Sequence, residues 1–372
     1  MREVYTYQPE EWARVSVVED RASYLAAHLA TIIGGKYVDG IEYPNAGQPG
    51  IDMTLMPYDS VDPSEPIANR VEGDSGIYGA VVDRLKGTKS ICHTPFCDEG
   101  LPSSYDDAFS SRIDELGVKP MGFVVFGIDD AVDAIDFMKK RGSGVRIKLP
   151  LGSGVDNQKI IDSGKPSSLQ DWIKSRVEGD HIQQYGLVIE EEVLPSSSDL
   201  PFALSTGELV VSEEHYTYVG WQVKGENGQY GGTVLRLTRG RQHPENVANI
   251  PGNLAEVANV VTQASRDMLV EKAGRMNFNY LYGAGAGDTT DRLILTEPTF
   301  RPGGASAAEL MAIEALLEDS SLPGIWARTS VEYGGRPSQQ FRQEGKTVWT
   351  GSEKKYGVTA IKASTSNQFS CL

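Results

Sequence analysis

The sequence predicts an α+β protein whose N-terminal part is α/β-like, and three observations lead to this class. With 372 residues, the chain is long enough for two or three subdomains that each bury a core. Its middle part alternates amphipathic helical segments with short apolar runs. Its later part contains a series of strand-like segments separated by glycine turns. We find no internal repeat, so the chain is not a repeat array.

Residues 1–85 are predicted to form an N-terminal domain with one helix and several short strands. Apolar residues recur at helical spacing over residues 21–34 and end at a pair of glycines, which is typical of a helix end. Turn-rich segments then surround short strands such as residues 51–56. Residues 78–91 are predicted to be more helical, and we therefore expect the first domain boundary near residue 85.

Residues 86–186 are predicted to form a central subdomain in which helices and strands alternate. The predicted helices have an apolar face at helical spacing, and the predicted strands are short apolar runs. The helices are expected over residues 104–118, 129–142 and 169–179, and the strands over residues 121–126 and 144–150.

Residues 187–372 are predicted to form a C-terminal subdomain in which strands dominate. The strands form a meander with glycine turns, and a long helix and a helix of small residues accompany them. The strands are expected over residues 186–194, 208–225, 230–240, 276–283 and 293–299, and the helices over residues 253–274 and 305–318.

Charge and composition exclude several classes of partner. The chain carries 35 lysine and arginine residues against 51 aspartate and glutamate residues, a net charge of −16. Because no basic stripe offsets this negative field, we exclude nucleic acid as a partner. No run of about 18 apolar residues exists, so we expect no membrane span. The N-terminus lacks an apolar signal-peptide core and the three cysteines fit no disulfide framework, which together predict a cytoplasmic protein.

Residues 293–312 place a carboxylate and a guanidinium at the end of a strand. Glu297 ends an apolar run, Arg301 follows four residues later, and two glycines precede a helix. Carboxylate oxygens are ligands that Mg²⁺ prefers when it bridges nucleotide phosphates, and an arginine can clamp a phosphoryl group or a substrate carboxylate. The alternative is an ordinary ion pair between Glu297 and Arg301 at a turn, although the two glycines favour a backbone that approaches a ligand closely.

Lys148 lies inside an apolar strand and precedes a Gly-Ser-Gly loop. A lysine within a buried strand requires a negative partner, and a glycine loop can bring backbone N–H groups to phosphate oxygens. The alternative is an edge strand whose lysine faces water.

The three acids of the segment "VIEEEV" leave two interpretations open. Either they follow their strand into solvent, or at least one carboxylate turns inward.

Five segments resemble, in their order and spacing, the ATP-grasp superfamily, and more narrowly a little-characterised bacterial branch of it. They are "TKSI" at 88–91, "VRIKLPLGSG" at 145–154, "LVIEEEVL" at 187–194, "NFNYLYG" at 277–283 and "LTEPTFRPGGASAAEL" at 295–310. The resemblance implies a fold in which ATP is held between two α+β subdomains behind an N-terminal domain. It also implies a reaction that joins a carboxylate to an amine through an acyl phosphate.

The resemblance further implies which positions bind the nucleotide. The phosphates are expected to contact two lysines and a mobile glycine loop, namely Lys89, Lys148, Gly152, Ser153 and Gly154. The adenine hinge is expected at Glu190 to Val193, where Glu191 and Val193 contribute backbone hydrogen bonds.

The resemblance also implies metal and catalytic positions. Glu297 corresponds to the principal Mg²⁺ carboxylate, and Arg301 to the arginine of a Glu-x-Asn-x-Arg pattern. This chain departs from the family twice, because Thr299 replaces the asparagine and Asn279 stands where an aspartate usually binds a second metal. Both still offer an oxygen, so we predict Glu297, Asn279 and Thr299 as metal ligands. Arg301 and Lys148 are predicted to be catalytic, and Arg239 is either a substrate-carboxylate clamp or a solvated strand-end charge.

The function that the sequence predicts is an ATP-dependent carboxylate–amine ligase with ATP and Mg²⁺ as cofactors. The expected partners are a small-molecule carboxylate and an amine, and amino acids are favoured because zwitterions suit an acidic protein with local arginines. Two alternatives stay open, an ATP-dependent small-molecule kinase and a non-catalytic nucleotide-binding protein. The sequence also leaves open whether the chain acts as a monomer or a homodimer.

Overall fold

The computed structural model describes most of the chain, and every statement below concerns those residues. They are residues 2–7, 16–38, 52–141, 144–150, 158–161, 172–173, 175, 180–196, 198–224, 230–285, 288–333, 346–350 and 356–361. Within them the strands form four sheets, and helices pack on the sheet faces.

The N-terminal part is a small parallel sheet with one helix. It consists of β1 (Glu3–Tyr7), α1 (Ser16–Ile32), β2 (Lys36–Val38) and β3 (Met53–Pro57), with strand order β2-β1-β3. Both strand pairs are parallel, so the predicted α/β-like character is confirmed. The helix ends as its sequence predicts, because Gly34 has a φ of +63° and the N–H of Gly35 bonds to the carbonyl of Ala30 at 2.8 Å.

The helical prediction for residues 78–91 is wrong. This segment begins as the strand β4 (Ala80–Val82), whose three residues are all buried, and it continues into a single 3₁₀ turn, Lys89–Cys92. Asp83 ends the strand by accepting the N–H groups of Leu85 and Lys86. The apolar residues therefore follow each other without helical spacing, because the strand is buried on both faces.

The central part is a five-stranded sheet covered by helices. Its elements are β5 (Thr94–Pro95), α2 (Ala108–Glu115), β6 (Gly122–Val125), α3 (Ile128–Lys140), β7 (Val145–Lys148), β8 (Gln158–Ile161), α4 (His181–Tyr185) and β9 (Leu187–Glu191). The strand order is β5-β6-β9-β7-β8, with all neighbours antiparallel except β5 and β6. Helix α3 buries Ala131, Ala134, Ile135 and Met138 in the core of this sheet.

The position of β9 corrects the predicted domain boundary between residues 186 and 187. This strand pairs with β6 on one side and β7 on the other, so it belongs to the central sheet. All five of its residues are buried, as expected for a strand in the middle of a sheet. The central part of the chain therefore ends after Glu191.

The C-terminal part is built on a nine-stranded sheet. Its elements are β10 (Leu194–Pro195), β11 (Ala203–Val211), β12 (Glu214–Lys224), β13 (Tyr230–Arg239), α5 (Leu254–Met268), β14 (Val270–Ala273), β15 (Arg275–Ala284), β16 (Arg292–Thr299), α6 (Ser306–Glu318), β17 (Ile325–Tyr333), β18 (Lys346–Thr350) and β19 (Tyr356–Ile361). The order is β10-β15-β11-β12-β13-β17-β19-β18, and β16 also pairs with β15. Helix α6 shares one hydrophobic core with this sheet and with α1.

The helix predicted over residues 253–274 ends earlier than expected. Helix α5 stops at Met268, and the following β14 pairs antiparallel with β4 from the N-terminal part. The N–H of Gly274 also bonds to the carbonyl of Gly79 at 3.0 Å. Pairing with β4, which lies nearly 190 residues earlier in the chain, therefore ends the helix although the helical sequence pattern continues. Val270, where the strand begins, is β-branched and favours a strand.

None of the helices in the described ranges is long and apolar enough to cross a membrane.

Candidate functional site

A polar cleft lies where the three parts of the chain meet. It has a volume of about 710 Å³, including its opening to solvent. The N-terminal part contributes the loop after β3, the central part contributes residues next to β7 and α4, and the C-terminal part contributes the end of β16. Its lining residues are Asp59, Ser60, Arg84, Gly87, Thr88, Lys89, Pro150, Tyr185, Glu297, Pro298, Thr299, Phe300 and Arg301.

The end of β16 supplies the cleft with three predicted site residues. Glu297, Thr299 and Arg301 are spaced two residues apart, which places them on one face of an extended chain. Phe300, between two of them, is buried in the core with Phe278 of β15. The alternation therefore anchors the strand on one side and points its polar groups to the cleft on the other.

Glu297 is held between an amide and an ammonium group. Its Oε1 accepts a hydrogen bond from Nδ2 of Asn279 at 3.1 Å, and its Oε2 lies 3.5 Å from Nζ of Lys89. Burial alone would raise the pKa of Glu297, but Lys89, Lys148 and Arg301 together lower it, so the carboxyl is ionised at neutral pH. The pKa of Lys89 is also lowered, first by burial and then by Lys148 and Arg301, although Glu297 opposes this shift.

Lys148 is buried and ion-paired, so the alternative of a lysine that faces water is wrong. Its Nζ lies 2.5 Å from Oε1 of Glu190 on the neighbouring strand β9. The other oxygen, Oε2, lies 3.2 Å from Nε2 of the buried His93. Burial would raise the pKa of Glu190, but Lys148 and His93 lower it to about 2. One acid of the "VIEEEV" segment thus turns inward and neutralises the lysine.

The other two acids of this segment pair with arginines. Glu191 accepts Nη2 of Arg292 at 2.6 Å, and Glu192 accepts Nε and Nη2 of Arg146 at 2.8 and 2.6 Å. The backbone N–H of Glu191 donates to the carbonyl of Met121 at 2.9 Å, and Val193 is buried just beyond β9. The hinge residues Glu190, Glu191 and Val193 thus lie where the chain leaves the central sheet, and their role toward adenine stays a prediction.

The predicted glycine loop follows Lys148 along the chain. Gly152, Ser153 and Gly154 lie outside the described residues, so their role also stays a prediction.

Asn279 and Thr299 differ in how they meet the cleft. Asn279 is the register partner of Glu297 in the β15–β16 pair, and its Oδ1 accepts Nε2 of Gln222 at 2.9 Å and Oγ of Ser205 at 3.4 Å. Its amide group facing Glu297 is the NH₂ donor, whereas Thr299 lines the cleft itself. The amide oxygen of Asn279 therefore points away from the carboxylate that was predicted to share a metal with it.

The donors fit a divalent cation that is bound through one carboxylate. The described residues contain no group of three or more His, Cys, Asp or Glu side chains that could hold a metal. Mg²⁺ commonly binds through one or two carboxylates together with substrate phosphates. Glu297, with the hydroxyl of Thr299 beside it, would hold such an ion.

Arg301 faces an acid that the sequence reading missed. Its Nε lies 3.8 Å from Oδ1 of Asp59, which comes from the loop after β3, and it forms no ion pair with Glu297 among the described residues. Burial raises the pKa of Asp59, and Arg301 and Arg84 oppose this shift only in part. Asp59 carried no sequence signal, because it lies in a loop without periodicity, and Arg84 lies in the segment that was wrongly predicted to be helical.

Arg239 does not line the cleft, and its predicted catalytic role stays a prediction. Its Nη2 donates to the carbonyl of Leu316 in α6, and its Nε lies 3.8 Å from Glu214. An arginine at the C-terminal end of a helix interacts favourably with the unpaired carbonyls and with the helix dipole. This side chain therefore stabilises the end of α6.

Of the two glycines after Arg301, Gly304 has a packing role that the sequence did not indicate. A Cβ at Gly304 would overlap the ring of Tyr230, whereas a Cβ at Gly303 would meet no atom closer than 3.8 Å. Neither glycine lines the cleft. The close approach that Gly304 allows is therefore to the tyrosine of β13.

A buried ion pair fixes the backbone beside the cleft. Arg275 donates Nε and Nη2 to the two carboxylate oxygens of Glu309 at 2.8 and 2.7 Å, and its Nη1 donates to the carbonyl of Arg301 at 2.5 Å. The hydroxyls of Tyr78 and Tyr218 complete the shell of Glu309 at 2.7 and 2.9 Å. The sequence signal for this network is weak, because Glu309 is one of three glutamates in the helix α6.

The architecture matches solved ATP-grasp structures at low sequence identity. Biotin carboxylase from Campylobacter jejuni, solved as a β,γ-ATP complex, has 12% identity and a TM-score of 0.52, over 97% of this chain and 87% of that chain. Phosphoribosylamine–glycine ligase from Thermotoga maritima also has 12% identity, with a TM-score of 0.49, over 97% of this chain and 90% of that chain. The likeness to the carboxylase confirms the ATP-grasp fold that the five segments predict.

Sequence comparison adds a family. No curated protein matches the chain in sequence. The model of the family described as "Protein of unknown function (DUF3182)" matches residues 12–363. The chain therefore belongs to the DUF3182 family and has the ATP-grasp fold.

Proposed function

We propose that the protein is an ATP-dependent ligase that joins a carboxylate to an amine through an acyl phosphate. The observation that carries the proposal is the cleft itself, in which Lys89 lies 3.5 Å from the carboxylate of Glu297 and Arg301 lines the same cleft. The N-terminal part adds a second acid and a further arginine, Asp59 and Arg84. Phosphate-binding and substrate-binding charges are thus adjacent, as phosphoryl transfer to a second molecule requires.

The β16 end of the cleft suits the phosphates of ATP. Lys89 and Arg301 would neutralise phosphate oxygens, and Lys148, which ends β7 and is held by Glu190, would add its charge to theirs. When bound at Glu297, Mg²⁺ would neutralise the charge on the phosphate oxygens. Because Lys89 and Glu297 already attract each other, the lysine is held at this end before any ligand arrives.

The N-terminal end of the cleft suits an amino acid. Asp59 offers a carboxylate for an ammonium group, while Arg84 and Arg301 offer guanidinium groups for a carboxylate. In the proposed reaction a carboxylate oxygen attacks the γ-phosphorus, and ADP leaves. The amine nitrogen then attacks the acyl carbon and loses a proton, phosphate leaves, and an amide remains.

The proposal is tested by trapping the activated acyl group. The protein is incubated with Mg²⁺, ATP, hydroxylamine and a panel of amino acids and small carboxylic acids. We expect ADP, free phosphate and a hydroxamate to form together, and only with certain acids. A stable phosphorylated product without free phosphate would identify a kinase instead. Tight ATP binding without turnover on any acid would identify a nucleotide-binding protein, and either result overturns the ligase.

A further inference from the structure

We infer that the site takes one divalent cation, through Glu297, and that Asn279 is a positioning residue that holds this carboxylate. The inference rests on the proposed function, because it concerns the cation that accompanies ATP. It departs from the expected role of Asn279 as a second metal ligand. The orientation of one side-chain amide decides between these roles, and two independent sets of contacts fix that orientation.

The first set of contacts comes from Glu297. An ionised carboxylate only accepts hydrogen bonds, and Oε1 of Glu297 lies 3.1 Å from the amide group of Asn279. The group on that side must therefore be the NH₂ donor. With the amide reversed, two acceptor oxygens would face each other at this distance.

The second set of contacts concerns the oxygen end of the Asn279 amide, and it starts from the backbone carbonyl of Thr206. Nδ2 of Asn277 donates to the carbonyl of Thr206 at 2.9 Å, which can only accept, and also to Oγ of Ser205 at 2.7 Å. Of the two protons on this nitrogen, one goes to Thr206 and the other faces the hydroxyl oxygens of Ser205 and Tyr218, so Ser205 keeps its own proton to donate. That proton points to Oδ1 of Asn279, 3.4 Å away.

Buried neighbours hold this second set in place. Nδ2 of Asn277 also lies 2.8 Å from the hydroxyl of Tyr218, which donates to Glu309, the partner of Arg275. Each of these side chains is buried, so water cannot readily replace a lost partner. Reversing Asn279 would thus leave donors of Ser205 and Gln222 facing an NH₂ group.

The remaining acids do not supply a second charged ligand. Within the described residues that line the cleft, the other carboxylate is Asp59, and it faces Arg301. A second cation would therefore meet one carboxylate shared with the first cation and the NH₂ side of an amide. Hard cations require oxygen ligands, so this arrangement favours a single ion.

The experiment counts Mn²⁺ ions bound per chain by electron paramagnetic resonance, with a non-hydrolysable ATP analogue at one equivalent. We expect one ion for the wild type. Asn279→Asp keeps an acceptor for Ser205 and Gln222 but adds a carboxylate beside Glu297, and we expect two ions. Asn253→Asp adds the same charge at the exposed start of α5, and we expect one ion.

Asn279→Ala separates a positioning residue from a ligand. Because this change removes the hydrogen bonds to Glu297, Gln222 and Ser205 but no metal ligand, we expect one ion to remain, with an affinity about 2- to 10-fold weaker. Two ions in the wild type, or fewer ions in Asn279→Ala than in the wild type, would overturn the inference. A single ion in Asn279→Asp would overturn the claim that this amide excludes the second one.

Nucleotide calorimetry with and without Mg²⁺ separates this inference from the proposed function. If the wild type binds no nucleotide under either condition, both fail. If it binds nucleotide with two ions, or with none, only the single-cation inference fails.

Discussion

Glu297 and Glu190 show how two ionised acids are given different roles by their neighbours. Glu190 is enclosed by Lys148 and His93 within the central sheet, and Glu297 opens to the cleft beside Lys89. Both are ionised, because the nearby cations outweigh the cost of burial. The first acid fixes a lysine, and the second is available to a cation.

At this scale we expect Glu297→Gln to abolish Mg²⁺-dependent ATP turnover and leave the fold intact. The amide keeps the size of the side chain but removes the charge that attracts Lys89 and a cation. Turnover should fall by about 100-fold or more, the range for losing one transition-state electrostatic contact, while the thermal midpoint changes little. Glu115→Gln, which makes the same change at an exposed ion pair with Arg112, is the control. Equal turnover in both variants would refute the role of Glu297.

The Glu190 carboxyl should make the free energy of unfolding depend on pH in the acid range. Its pKa falls from an ordinary value of 4.5 to about 2 in the folded state, chiefly through Lys148 and His93 acting against burial. The stabilisation is therefore fully present above about pH 4.5 and is lost as pH falls toward 2, and it amounts to about 3 kcal/mol. Urea unfolding between pH 2 and 6 measures it. Glu190→Gln should flatten this part of the profile, and an unchanged profile would contradict the assignment.

At the scale of elements, short strands join the three parts of the chain. The β4–β14 pair links the N-terminal part to the C-terminal part, and β9 completes the central sheet just before the chain enters the large sheet. The cleft lies among these junctions. Its side chains therefore come from segments that are far apart in sequence and meet only when the junctions form.

We expect Gly274→Ala to disrupt the junction between β14 and β15. A Cβ at this position would overlap the backbone carbonyls of Ile77 and Asp74. Because backbone must move to make room, the free energy of unfolding should fall by about 1–3 kcal/mol or more. Gly252→Ala, where a Cβ would meet no atom within 4 Å, is the matched control and should change it little. Equal effects in denaturant titrations of the two variants would show that the junction is not tightly packed.

At the scale of the whole molecule, one buried polar network connects the N-terminal part, the large sheet and α6. Tyr78 precedes β4, Tyr218 lies in β12, Arg275 begins β15 and Glu309 lies in α6. The same arginine holds the carbonyl of Arg301. The network therefore ties the assembly of the parts to the geometry of the cleft.

Removing one member of the Arg275–Glu309 pair should destabilise the protein far more than removing both. We expect Arg275→Met to lower the free energy of unfolding by about 3–5 kcal/mol, because Glu309 would stay buried without its cation. The double variant Arg275→Met/Glu309→Met should recover much of this loss, which a double-mutant cycle measures by denaturant titration. Additive losses would mean that the two charges act independently.

The sequence predicted the elements whose patterns are local. The apolar spacing of α1 and α3, the glycines after α1 and the strand end at Glu297 all depend on neighbours within a few residues. The order of the five ATP-grasp segments likewise follows from the linear chain, and the fold class followed from it. Lys148 was singled out correctly as a buried lysine, because a charge inside an apolar strand requires a partner wherever that partner lies.

Only the tertiary structure decided which distant groups meet. In the folded protein, α5 ends early where β14 pairs with β4, and β9 lies in the central sheet. Asp59 lies beside Arg301, and Arg239 contacts the end of α6. The tertiary structure also showed which face of the Asn279 amide meets Glu297. These outcomes depend on pairings across tens to hundreds of residues, and no local period of apolar or polar residues encodes them.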